Sequence, residues 1–212
     1  VNSTSDFING KMIMVETSIK RDYPMFEKII KEATGAVTAV IQGAGDIVGS
    51  VTSTVKDQVV NVVSGTGEVV GSTVEAIASV ASGSARAAGE VGSSVTETVS
   101  GTMSGVISGV ASVGGDVMGS VFAAAQGVVK GTAETSGDIG QAAVAAVEGA
   151  IKSAGDVGAD VAEAAKSAVG GAMKAATSVG GDAVDTVRDA LLASAALPRD
   201  VIESAVKGSE KK

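Results

Sequence analysis

Two carboxylate pairs spaced one helical turn apart, Asp156 with Asp160 and Asp185 with Asp189, are the groups best placed to do chemistry in this chain of 212 residues. Residues four apart share a helix face, so each pair could hold a hard cation or divide acid and base work between its members. Arg188 stands beside the second pair. Solvated helix faces routinely carry such groups, and both pairs are read as surface decoration. The chain has no His and no Cys. That removes the imidazole base, the thiolate nucleophile and the usual zinc and iron–sulfur ligands.

The remaining motifs point the same way. Ser53-Thr54-Val55-Lys56 fits a Ser-x-x-Lys pattern whose companion motifs are missing. Gly43-Ala44-Gly45 with Gly49, and Gly65-Thr66-Gly67 with Gly71, miss the last spacing of a dinucleotide fingerprint, and no strand is predicted before either. The chain is therefore expected not to be an enzyme and to take neither cofactor nor metal. Asn2-Ser3-Thr4 is an N-glycosylation sequon, which makes Asn2 a candidate for modification. Together with the start at Val1, it favours an extracellular or cell-surface location over others.

The elements carrying these residues are unusual in composition. Gly occurs 29 times, aromatics make up 2% of the chain, and the apolar 45% is mostly Ala and Val. Residues 34–197 hold 16 acids and 7 bases, while the total net charge is −8. Such a body repels nucleic acid and anionic membranes. Three regions follow: 1–34, a docking or capping segment with a short helix from Pro24 bearing Phe26, Ile29 and Ile30; 35–197, a uniform tract; and 198–212, a short helix over Asp200 to Lys207 with a Lys tail.

The tract repeats. Seven Gly-acid dipeptides place acids at Asp46, Glu68, Glu90, Asp116, Asp138, Asp156 and Asp182, at separations of 22, 22, 26, 22, 18 and 26 residues. Twenty-two residues are two elevens, and an eleven-residue period closes three helical turns. A Val stripe runs Val99, Met103, Val106, Val110, Val113, Val117 and Val121 in steps of three and four, the mark of one helix face. The expected fold is all-α, with long Gly/Ala/Val-rich helices packing into an oligomer, and one helical hairpin at Gly114-Gly115 as a variant. A β-solenoid with 22-residue coils is the alternative.

An interior Gly costs about 1 kcal/mol relative to Ala in a helix, so close packing must offset the burden. Gly101, Gly105 and Gly109, four apart, line one edge, with Val106, Val110, Val113 and Val117 beside them. Such spacing lets two backbones approach, and these seven residues are the expected packing surface. Gly105-Val106-Ile107-Ser108-Gly109-Val110-Ala111-Ser112-Val113 resembles, in period and composition, the eleven-residue-repeat helices of synucleins, perilipins and late-embryogenesis-abundant proteins. The resemblance spans about residues 36–190 and implies amphipathic helical geometry. The expected role is structural: self-assembly, with its own copies as partner, into a bundle, filament or lattice. A lipid-surface or stress-protective helix protein is the alternative, and the acidic balance disfavours membrane or lipid surfaces as partners.

Overall fold

The computed structural model describes residues 24–43, 46–65 and 70–209. The helices among them are α1 (Pro24–Gly43), α2 (Ile47–Gly65), α3 (Val70–Val91), α4 (Val95–Ser112), α5 (Val117–Glu134), α6 (Ile139–Asp156), α7 (Val161–Val179), α8 (Gly181–Ala193) and α9 (Arg199–Ser209). The chain is all-α: no strand occurs among the described residues, which removes the β-solenoid alternative. The expected very long helices are also corrected. The longest, α3, has 22 residues.

The reason lies in the turns. Helix α4 ends in a Schellman motif: Gly114 N–H donates to Ala111 O at 3.2 Å and Gly115 N–H to Val110 O at 3.0 Å. Gly114 is left-handed, with φ +69°. The chain then reaches Asp116, whose carboxylate accepts the Gly119 N–H at 3.0 Å and caps α5. The same pair of bonds recurs at Gly92-Ser93, Ser136-Gly137 and Gly158-Ala159. Each is followed by a cap, at Ser94, Asp138 and Asp160. From Ser94 to Asp160, successive caps are 22 residues apart.

This arithmetic explains why the Val stripe crossed Gly114-Gly115 in step. Helices α4, α5 and α6 have 18 residues each, five turns at about 3.6 residues per turn. A four-residue turn then restores nearly the same phase. A helix-and-turn unit and a continuous helix thus give the same spacing, and the turns decide between them.

The helices form two layers. From α1 to α5 each packs chiefly against the helix two further along the chain, and α6 and α7 also touch the helix two further along, so α1, α3, α5, α7 and α9 make one layer and α2, α4, α6 and α8 the other. Consecutive helices pack across the layers. Between them lies a core of small side chains, including Val99, Val106, Ile107, Val121, Val128, Ala142, Ala146, Val147 and Ala172, each 0% exposed. Ala loses no rotamer freedom on burial, so this core gains less per residue than a Leu core but also costs less entropy.

Helix α1 runs through 34–35, joining the expected N-terminal segment to the tract. Helix α9 occupies the expected C-terminal region, just after Pro198. Asn2 lies outside the described residues.

Candidate functional site: the glycine seam

The expected packing glycines face another helix of the same chain. A Cβ built on Gly101 would lie 2.9 Å from Val48 O, one on Gly105 2.7 Å from Thr52 O, and one on Gly109 3.2 Å from Lys56 O. The partner numbers rise together, so α2 and α4 run parallel. Each glycine hydrogen occupies the place of a Cβ and points at a backbone carbonyl of α2. Close contacts of this kind recur at helix interfaces and contribute about 0.5–1 kcal/mol each. The single Thr52 hydroxyl proton is shared between Val48 O at 2.7 Å and Gly101 O at 3.2 Å across the seam.

The seam repeats along both layers. Gly127 and Gly131 of α5 meet the backbone at Ala78 and Ser82 of α3. In the other layer, Gly149 of α6 meets Met103 and Ser100 of α4. Ser104 and Ser153 hydroxyls bond at 2.7 Å across the same pair, 49 positions apart. Gly171 of α7 meets Phe122 of α5. In these contacts the later helix supplies the glycine and the earlier helix the surface it rests on, whereas Gly89 of α3 against Thr135 and Gly140 of α6 against Ala190 and Thr186 of α8 run the other way.

The expected valines divide. Val106 and Val110 are buried, at 0% and 1% exposure. Val113 is the C-cap residue of α4 and 38% exposed, and Val117 opens α5 half-buried against the core. The expected continuous face is therefore broken by the turn between Val113 and Val117.

The candidate chemical groups serve the scaffold. Asp160 accepts the Glu163 N–H at 2.9 Å as the cap of α7, while Asp156 ends α6 and is exposed. Asp185 and Asp189 both pair with Arg188. Ser53 Oγ donates to Gly49 O at 3.1 Å, inside its own helix, and Lys56 is exposed. Gly49 lies inside α2, where its N–H donates to the Asp46 cap; Ala44, Gly45, Thr66 and Gly67 lie outside the described residues. Among the described residues, no group of three or more acids is placed to hold a metal ion, and no helix is long and apolar enough to cross a membrane.

The sequence marks Asp46, Asp116 and Asp138 as repeat acids on one helix face and Asp160 as half of a carboxylate pair; that these acids cap helices, and that Ser94 does too, is added by the structure. Glu90 pairs instead with Arg86 at 3.8 Å, inside α3. The missed signal was available: Ser94 and Asp160 each stand three residues before a Glu, the pattern of a helix start. With them in place, every separation from Ser94 to Asp182 is 22 residues, and a single interval of 26 remains between Glu68 and Ser94. No protein-family model and no curated protein matches this chain.

Proposed function

We propose that this chain is a structural protein, a two-layer slab of short helices that serves as a subunit of a larger homo-oligomeric or filamentous assembly. The supporting observation is that neighbouring helices of a layer run parallel, as the rising partner numbers of Gly101, Gly105 and Gly109 on α2 and of Gly127 and Gly131 on α3 show. A step between parallel neighbours is heterologous and leaves two unlike ends. Arrays of that kind extend by addition at their ends, as solenoid repeats do. The small-residue faces are occupied within the chain, so the ends, rather than Gly101, Gly105 and Gly109, are the surfaces for a second copy.

The apolar stripe is also spent inside the slab. Large hydrophobics exposed among the described residues are Val113, Val161 and Val179, far apart in the chain. A lipid surface therefore has little to bind unless the slab opens, and the acidic tract gains nothing from anionic headgroups.

Sedimentation velocity over a concentration series tests the proposal. Growth in sedimentation coefficient with concentration, at constant helicity and without lipid, is the expected result. A monomer at every concentration would overturn it, as would helix formation that requires anionic vesicles.

A further inference from the structure

One ion pair sets a rule that the rest of the slab breaks in two opposite ways. Arg86 of α3 reaches Glu134 of α5 at 3.7 Å, 48 positions further on, with side chains 37% and 42% exposed. The bridge therefore lies on the outer surface of its layer, away from the core. Lys130 and Lys174 follow Arg86 at steps of 44 residues, on α5 and α7. By the same offset of 48, Lys130 stands opposite Ser178 of α7, so this base has no acid across from it. In the other layer the offset joins Ser108 of α4 to Asp156 of α6, so this acid has no base across from it. Contacts of Gly171 with Phe122 and of Ser153 with Ser104, 49 positions apart, show that both helix pairs keep the register.

The two outer faces differ in charge accordingly. Helices α5 and α7 carry Lys130, Lys166 and Lys174 against Glu134 and Glu163, and Glu134 is engaged by Arg86. All three lysines are exposed. Helices α4 and α6 carry Glu97, Glu148 and Asp156 against Lys152 alone. The layer of α2, α4, α6 and α8 holds seven acids and three bases, whereas the other layer holds eight of each. Relief is low on both faces. Half-buried Ser100, Ser104 and Ser108 stand along α4, and the half-buried Phe122 ring lies 3.4 Å from a Cβ built on Gly170 of α7.

We propose that copies stack face to face, the outer surface of α5 and α7 of one copy resting on the outer surface of α4 and α6 of the next. The stack rests on the self-assembly reading and adds depth to growth at the layer ends. Charge complementarity selects the faces. The chain carries a net −8, so copies repel except where the lysines of one meet the acids of another. Translation along the slab normal brings these faces together. It also sets facing helices antiparallel, as the short turns do inside the slab, with each positive dipole end near a negative one. A translation is heterologous and does not close, so the stack is open-ended. Helices of 18 residues are about 27 Å long, and three at about 9 Å spacing cover about 700 Å², close to one partner's share of a standard interface.

Charge reversal on each face tests the stack by sedimentation velocity, with circular dichroism to verify that helicity is kept. Lys130→Glu/Lys174→Glu and Glu148→Lys/Asp156→Lys should each weaken association about tenfold or more, because like charges then face each other. The second variant separates the stack from general repulsion: it makes the chain less acidic, so net charge alone would strengthen association. An equimolar mixture of the two should restore association, since each variant's altered face is complementary to a face of the other. Unchanged association of both variants, stronger association of Glu148→Lys/Asp156→Lys, or no rescue in the mixture would overturn the stack and leave self-assembly standing. A wild-type monomer at every concentration would overturn both. Should Glu148→Lys disturb the packing around half-buried Glu148, exposed Asp156→Lys alone carries the test. Weakened association then supports the stack, and unchanged or stronger association overturns it.

Discussion

The carbonyl oxygen of Thr52 stands against Gly105 so closely that a Cβ there would lie 2.7 Å from it, 2.8 Å from Val55 Cβ and 3.0 Å from Lys56 N. Two of those three atoms are backbone and cannot rotate away.

Gly105→Ala should therefore destabilise the fold although Ala is the better helix former. Helix propensity offers about 1 kcal/mol, and overpacking against backbone costs about 1–3 kcal/mol. We expect a net loss of about 1–2 kcal/mol in urea unfolding. Gly35→Ala in α1 is the control, because nothing lies within 4 Å of its Cβ position. It should stabilise by about 0.5–1 kcal/mol. Equal signs for the two substitutions would contradict the seam.

Open space does not make every glycine replaceable. Gly114 also has nothing within 4 Å, but its φ is +69°. Gly114→Ala should cost about 1 kcal/mol through left-handed strain alone. The equivalent turn carries Ser136 at φ 55°. Ser136→Gly relieves that strain and should stabilise by about 0.5 kcal/mol after the unfolded chain's added entropy is subtracted. Thermal unfolding of the two variants, which should shift in opposite directions, checks both.

How much of this was legible beforehand depends on what the residues report. Val99, Met103, Val106 and Val110 sit at helical spacing and are all buried, so helix type and core face were readable. The close approach at Gly101, Gly105 and Gly109 was readable as a packing edge, but not its partner, because spacing along one helix carries no information about which helix lies opposite. The reversals were hidden by phase. Asp116 and Asp138 look like decoration on a long helix, because a four-residue turn displaces the pattern by about one helical turn. Gly170-Gly171 and Ser82 to Ser84, runs of small residues, lie inside α7 and α3. There Gly171 packs against Phe122. Small residues mark turns and tight seams alike.

Buried polar atoms give a third prediction. Thr98 is 0% exposed, and its Oγ1 has no hydrogen-bond partner. Leaving a buried hydroxyl unpaired costs about 1–3 kcal/mol, whereas an apolar group of the same shape carries no such penalty. Thr98→Val should raise stability by about 1 kcal/mol. Thr102 is equally buried, but its Oγ1 donates to Thr98 O at 2.8 Å. Thr102→Val should gain less or lose. Denaturant midpoints of the two variants, compared at constant slope, check the difference.

The most direct measurement of the two-layer array is an engineered disulfide. The chain has no cysteine, so a pair introduced by Ser104→Cys and Ser153→Cys has no competitors. These hydroxyls touch at 2.7 Å between α4 and α6, although 49 residues separate them. On one continuous helix the same residues would be about 73 Å apart. Oxidation of the dilute double variant should give a cross-link within single chains, seen as a faster band on non-reducing gels and lost on reduction. Cross-links only between chains, or none, would contradict the array.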